Sequence, residues 1–301
     1  MHWIVRLPPQ HLSMRKSTSI LISLLALLCL CLCLCLCLFL SPSPLNALDQ
    51  PTAADVALIV SVDVSESVDE ARYRLQMDGI AKALEDPAVI DAITSGPKGR
   101  ILFAMVVWAD HAQLAVAWTP ISSASESISL ANTVRHLERY GGEFTCLARM
   151  LSNLNDTVLD SMPMKATRTV VDVSGDGIDN CSPDATTREA RDELVKRGVT
   201  INGLPIIEEP GQIVGAGAYR APDGNLENLR PLESRERLTL DGWYRTNVMG
   251  GDLAFILPAN GYADFARAMR QKFVTEISNM ESLQPSRPNR HLPNRHVIAN
   301  N

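Results

Sequence analysis

At 301 residues, with 46% hydrophobic and 21% charged residues, the chain is long enough to bury a substantial core and too apolar to stay disordered throughout. A formal charge of −6, with no basic stripe interleaved with aromatics, argues against a nucleic-acid partner. Five of the seven cysteines alternate with leucine inside one apolar run, so no dense disulfide framework is expected.

That run, residues 20–40, follows Arg6, Arg15 and Lys16 and ends at Ser41-Pro42-Ser43-Pro44. A basic start, an apolar stretch and a small residue before Asp49 predict a secretory signal over residues 1–47. The alternative is a retained N-terminal membrane anchor, because 21 apolar residues can span a bilayer. Under either reading the folded part lies outside the cytoplasm, in the periplasm or beyond the cell. Residues 1–47 hold three basic and no acidic residues, so the remainder carries a charge of −9.

Residues 56–62 form an apolar run rich in β-branched residues, the pattern of a strand buried on both faces. Ser67-Val68-Asp69-Glu70 has the capping-box spacing and predicts a helix opening at Ser67 and running to Leu84. A second buried strand follows at 101–108, an edge strand at 113–118 and a helix at 124–137. After the Gly141-Gly142 break come a helix at 146–159, a buried strand at 169–173, a helix at 185–196 and a strand at 199–207. Residues 208–241 turn to Gly, Pro, Asn and charge and read as a surface insertion. A last strand at 253–257 and helix at 262–277 precede a polar tail, 279–301, with two Pro-Asn-Arg-His repeats and the composition of a disordered segment. Strands alternating with helices over 55–278 predict an α/β fold: a doubly wound, mostly parallel sheet flanked by helices, with its ligand site at the carboxyl ends of the strands.

Three loops place oxygen-bearing side chains at such ends. Asp63, Ser65 and Ser67 follow the first strand, Thr145 follows the glycine pair, and Asp176 stands between Gly175 and Gly177. Converging on one crevice, they supply two carboxylates and three hydroxyls. An all-oxygen set of low charge suits Mg2+, Mn2+ or Ca2+ rather than zinc. Mg2+ seeks near-octahedral coordination and keeps waters, so an Asp or Glu of a protein partner can complete its shell. Plainer roles remain open at this point. Ser67 can cap the helix, Asp63 can form a turn, and Asp172, inside a buried strand, is expected to accept hydrogen bonds from the backbone. Asp179 and Asn180 are equally turn formers or supports for the ligands, and Trp108, Trp118 and Trp243 are expected to pack in the core or at its rim.

The pattern D-x-S-x-S at 63–67, a threonine after a glycine pair and an aspartate in a Gly-Asp-Gly turn resembles the metal-ion-dependent adhesion site of von Willebrand factor type A domains. The resemblance covers residues 55–278. The stretches DPAVIDAI, RTVVDVSGDG, INGLPI and YRTNVMGGDLAFILPA are more closely similar to one exported bacterial branch of these domains, the domain-of-unknown-function 1194 type. It implies a Rossmann-like α/β fold in which Ser65, Ser67 and Thr145 bind a metal through hydroxyls, while Asp63 and Asp176 act largely through bound water. Glu66 departs from the pattern, standing where a small residue is usual. The function implied is an exported, non-enzymatic, cation-dependent binding module whose metal is completed by a partner's Asp or Glu. The alternative is a metal-dependent hydrolase such as a phosphatase, with Asp63 or Ser65 as nucleophile. The sequence has neither the D-x-D of aspartyl phosphatases nor a G-x-S-x-G elbow, and no motif places any of its six histidines beside Ser65. Cys146 follows Thr145 directly and Cys181 lies five residues after Asp176, so convergent ligand loops in an oxidising compartment predict a Cys146–Cys181 disulfide.

Overall fold

Ten consecutive buried residues, Ala54 to Asp63, run through the centre of the protein as strand β1 (Ala53–Asp63). The computed structural model describes residues 53–214 and 238–278. The expected signal or anchor at 1–47, most of the expected insertion and the expected tail at 279–301 lie outside the described residues. Strand β1 pairs in parallel with β2 (Ile101–Trp108) on one side and β4 (Lys165–Gly175) on the other. The antiparallel β3 (Ala112–Ile121) borders β2, and the parallel β5 (Val199–Pro205) borders β4, giving the order β3-β2-β1-β4-β5. β3 bulges opposite Met105.

Helices cover both faces. Helices α1 (Glu70–Glu85), α2 (Pro87–Ser95), α3 (Ala124–Arg135) and α7 (Phe265–Ser278) lie on one side, where Tyr73, Met77, Ile80, Phe265 and Phe273 pack against Val56, Leu58, Val60 and Val62. On the other side α4 (Leu147–Asn153), α5 (Asp184–Lys196) and α6 (Leu240–Asn247) bring Leu147, Leu194, Trp243 and Tyr244 against Ile59, Val106, Trp108 and Val173. Burial on both faces is why the central strands read as unbroken apolar runs rather than alternating ones. The chain moves outward from β1 to β2 and β3, then returns across β1 to β4. The order therefore reverses between β1 and β4, where their carboxyl ends open a crevice.

Four local expectations are corrected. Helix α1 begins at Glu70, and its cap is Asp69, whose side chain accepts from the Arg72 N–H at 2.8 Å. Ser67 lies outside the helix, and its hydroxyl is free for other work. Residues 146–159 do not form one helix, because α4 ends at Asn153 and passes through a π turn (Leu154–Val158) and a 3-10 turn (Leu159–Ser161). Residues 253–257 do not make a regular strand. Leu253 takes a positive φ of 59° and Pro258 has no N–H, so within this stretch Ile256 alone bridges to β5, at Gly203, and Ala259 pairs with Ile206 just beyond it. Helix α2, which is not among the expected elements, is announced by Asp86-Pro87, a cap followed by proline at the first helical position, and α6 begins at Leu240, inside the expected insertion.

The fourth correction concerns Asp172. Its carboxylate does not bond to the backbone. It faces the ammonium of Lys272 at 3.2 Å, which also lies 3.1 Å from Glu276, and Asn202 Nδ2 donates to Glu276 Oε1 at 2.8 Å. All four side chains are buried. Burial raises the Asp172 pKa and the Glu276 charge adds to it, with Lys272 working the other way. Burial pulls Lys272 down, but the two carboxylates outweigh it and hold the ammonium above the ordinary lysine range. A raised carboxyl pKa in the fold means stability present at low pH that is lost as pH rises through the folded value. Replacing Lys272 by Met leaves two buried carboxyls without their cation, a change of roughly 3–5 kcal/mol. Urea denaturation of Lys272→Met is expected to show that loss deepening from pH 5 to pH 8, and a pH-independent difference from wild type would refute it.

Candidate metal centre

The carboxyl end of β1 turns through Asp63, whose Oδ1 accepts from the Ser65 N–H at 2.8 Å. The Val64 N–H reaches the Trp108 carbonyl at 2.9 Å, and Gln76 of α1 donates to the Asp63 carbonyl at 3.1 Å. These bonds fix the first loop against β2 and α1 before any ligand is considered.

The second loop approaches the end of β2 closely. A Cβ at Gly142 would sit 2.2 Å from Asp110 Oδ2 and 2.7 Å from the Ala109 Cβ, so this glycine is what lets the chain pass. Thr145 is then tied to the third loop by reciprocal bonds, its N–H donating to Asn180 Oδ1 at 2.8 Å and its carbonyl accepting from the Asn180 N–H at 3.0 Å. Asp179 binds the same two loops together. It accepts from Cys181 and Ser182 within its own turn and from the Ala148 N–H at the start of α4 at 2.6 Å. A disulfide joins Cys146 to Cys181, with Cα atoms 5.0 Å apart.

These constraints bring all five singled-out side chains to one place. Thr145 Oγ1 donates to Ser65 Oγ at 3.2 Å, Ser65 Oγ lies 3.4 Å from Ser67 Oγ, and Ser67 Oγ donates to Asp176 Oδ1 at 2.7 Å. Asp63 lies beneath this chain, fully buried, with Ser65 and Thr145 buried, Asp176 half-buried and Ser67 exposed. Glu66 is exposed.

Four further residues belong to the site. Tyr262 donates its hydroxyl to Asp176 Oδ2 at 3.0 Å. Arg72 donates to the Ser67 carbonyl and Arg139 to the Ser65 carbonyl, both in the first loop. Tyr244 is buried, and its hydroxyl and Asp63 Oδ2 both lie within 3 Å of where a Gly175 Cβ would stand. Burial, then the carboxylates nearby, raises both tyrosine pKa values far enough that each hydroxyl keeps its proton. No spacing rule points to these four, since each reaches the site through tertiary packing.

The electrostatics leave one group unanswered. Asp63 Oδ2 is buried and accepts no hydrogen bond. Burial, with the Asp176 charge next, pushes the Asp63 pKa up to about 7, and the bonds from Ser65 only partly oppose this. An uncompensated buried carboxylate beside three hydroxyls and a second carboxylate fits a hard divalent cation. Among the described residues no group of three or more His, Cys, Asp or Glu side chains forms a competing metal cluster.

A family model described as "Protein of unknown function (DUF1194)" matches residues 53–281. No curated protein matches the chain. Among solved structures, proximal thread matrix protein 1 from the mussel byssus is similar at 12% identity and a TM-score of 0.50, over 75% of this chain and 49% of that one. A von Willebrand factor type A structure from Catenulispora acidiphila is similar at 16% identity and a TM-score of 0.47, over 75% of this chain and 43% of that one. The mussel byssus protein "with zinc occupied MIDAS motif" is similar at 15% identity and a TM-score of 0.46, over 75% and 48%. The chain thus spans about half the length of these solved chains. What the likeness shows is the fold, that of a von Willebrand factor type A domain.

The raised Asp63 pKa has a measurable sign. The unfolded carboxyl ionises near its ordinary value and the folded one near 7, so stability is full at low pH and falls as pH rises through 7. In chelator, Asp63→Asn is expected to gain roughly 2–3 kcal/mol over wild type between pH 5 and pH 8. Denaturant titrations of both proteins check this, and parallel pH curves would remove the buried-charge argument.

Proposed function

The chain belongs to the DUF1194 family and has the von Willebrand factor A fold, and from that premise we propose that it is a divalent-cation-dependent protein-binding module acting outside the cytoplasm. The observation that carries the reading is the hydroxyl chain Thr145–Ser65–Ser67 ending on Asp176 above the unanswered carboxylate of Asp63. The residues that would hold the cation are Asp63, Ser65, Ser67, Thr145 and Asp176, and Mg2+, Mn2+ or Ca2+ suits their oxygens. When bound, the cation supplies positive charge and an unfilled position for an Asp or Glu of the partner. The chain's own part is to hold the hydroxyls together, to keep Asp63 dry and to steady Asp176 through Tyr262.

A binding role fits the surroundings of Ser65 better than hydrolysis does. Its hydroxyl contacts the hydroxyls of Thr145 and Ser67, an array of neutral oxygens suited to a hard cation. His136, whose ring nitrogen contacts the Asn132 carbonyl, sits on the surface at the end of α3. The disulfide supports the export reading, with residues 1–47 as signal or anchor, because such bonds persist in oxidising compartments.

Cation binding is the primary test. Titration with Mn2+, read by electron paramagnetic resonance, is expected to show saturable binding by the wild type. Asp63→Ala and Ser65→Ala are each expected to lose at least about tenfold in affinity while keeping a native circular dichroism spectrum, and Asp176→Ala to lose less. Equal, unchanged affinity in all three variants would sink the metal reading. Partner binding that survives chelator would sink the adhesion reading alone.

The disulfide generates a separate expectation. Closing a loop across a separation of 35 residues stabilises by roughly 3–4 kcal/mol in the chain-entropy model. Because it joins two of the three ligand loops, reduction is expected to weaken Mn2+ binding several-fold at temperatures where the domain is still folded. Loss of affinity only on unfolding would show that the bond serves stability alone.

A further inference from the structure

We propose that Arg72 is a second receptor for the partner's carboxylate, and that Glu208 occupies that receptor until the partner displaces it. The inference rests on the metal-site reading above and specifies what else the incoming carboxylate touches.

Arg72 is held on its inner side by the site itself. Nη1 donates to the Ser67 carbonyl at 2.6 Å and lies 3.9 Å from Asp176 Oδ2. The guanidinium stands over the Tyr262 ring, 5.2 Å from its centre, and that same tyrosine bonds Asp176. Two of the expected ligands and the group that steadies one of them therefore fix this arginine. Its outer nitrogen, Nη2, already binds a carboxylate, that of Glu208, at 2.6 Å.

The Glu208 contact is the replaceable one. It comes from the loop just after β5, its side chain is 46% exposed, and that of Arg72 is 33% exposed. Exposed pairs of this kind contribute little, so a carboxylate also anchored on a cation outcompetes it. Glu208 has room to leave, since it lines a cleft of about 430 Å³ together with Asp176, Thr239, Asp241 and Asn260. A planar guanidinium suits the task better than an ammonium, because its fork matches the carboxylate.

Local charge points the same way. Arg72 stands between two carboxylates, Asp176 on its inner side and Glu208 on its outer side. A cation held by Asp176 takes up the inner charge, so the guanidinium is left to pair outward. Glu208 supplies that outward carboxylate from within the molecule, and the partner supplies it from outside.

The experiment uses the full chain loaded with Mn2+ and titrated with acetate, read by water-proton relaxation as acetate displaces metal-bound water. Glu208→Gln is expected to tighten acetate binding about two- to fivefold, because the internal competitor is gone. Arg72→Gln, compared with wild type at matched Mn2+ saturation, is expected to weaken acetate binding about tenfold. Arg72→Lys is expected to fall between wild type and Arg72→Gln. Unchanged acetate affinity in Arg72→Gln or Glu208→Gln would overturn the proposal, as would Arg72→Lys behaving like wild type. Loss of Mn2+ binding by Arg72→Gln would make the residue part of the scaffold and also overturn it. Failure of the wild type to bind Mn2+ would instead overturn the metal reading beneath it.

Discussion

Asp63 is carried into the interior by the strand on which the sheet is built, and it cannot escape its own desolvation by moving. β1 pairs on both sides and is covered on both faces, so its last residue stays buried whatever its charge. The cost of that placement organises the surroundings. Ser65 bends back to answer one carboxylate oxygen, Gly175 keeps the space above the other clear of a side chain, and Tyr244 and Gln76 close in from opposite faces of the sheet. A site of this kind lies at the point where strand order reverses, because only there do two strand ends part enough to admit a ligand.

What could be read from the residues was what local spacing determines. Asp63, Ser65 and Ser67 stand close together in the chain, and Thr145 and Asp176 are marked by adjacent glycines, so their convergence followed once an α/β sheet was inferred. The errors arose where two local solutions were equally good or where the partner was distant. Ser67 and Asp69 both suit a helix cap, and the choice of Asp69 released Ser67 toward Asp176. Asp172 looked like a residue that would bond its own backbone because Lys272, its actual neighbour, lies in the last helix. Tyr262, Arg72 and Glu208 give no signal by periodicity or motif, since only the folded arrangement of α1, the loop after β5 and the start of α7 brings them together. The apolar stretch at 253–257 resembled a strand in composition, but a left-handed residue at its start and a proline just after it reduced it to one bridge, at Ile256.

Rigidity in this domain is concentrated where the ligand loops meet. Asp179, the reciprocal Thr145–Asn180 bonds and the disulfide each connect the second loop to the third, so these loops lose little freedom when a ligand arrives. The first loop is connected differently, through single side-chain bonds to Thr145 and Asp176. Two loops thus form one tied frame, and the D-x-S-x-S turn is held separately, against β2 and α1 and by Arg72 and Arg139.

The two edges of the sheet have a consequence of their own. Beyond β5 the chain from Ile256 to Ala259 takes up part of the open ladder, and at the opposite border β3 is interrupted by a bulge and by Pro120. Neither border, among the described residues, offers a long flat row of free amides and carbonyls to another extended chain. Association by strand addition is therefore disfavoured at both flanks. At these borders, neighbouring copies of the domain find no template for fusing their sheets.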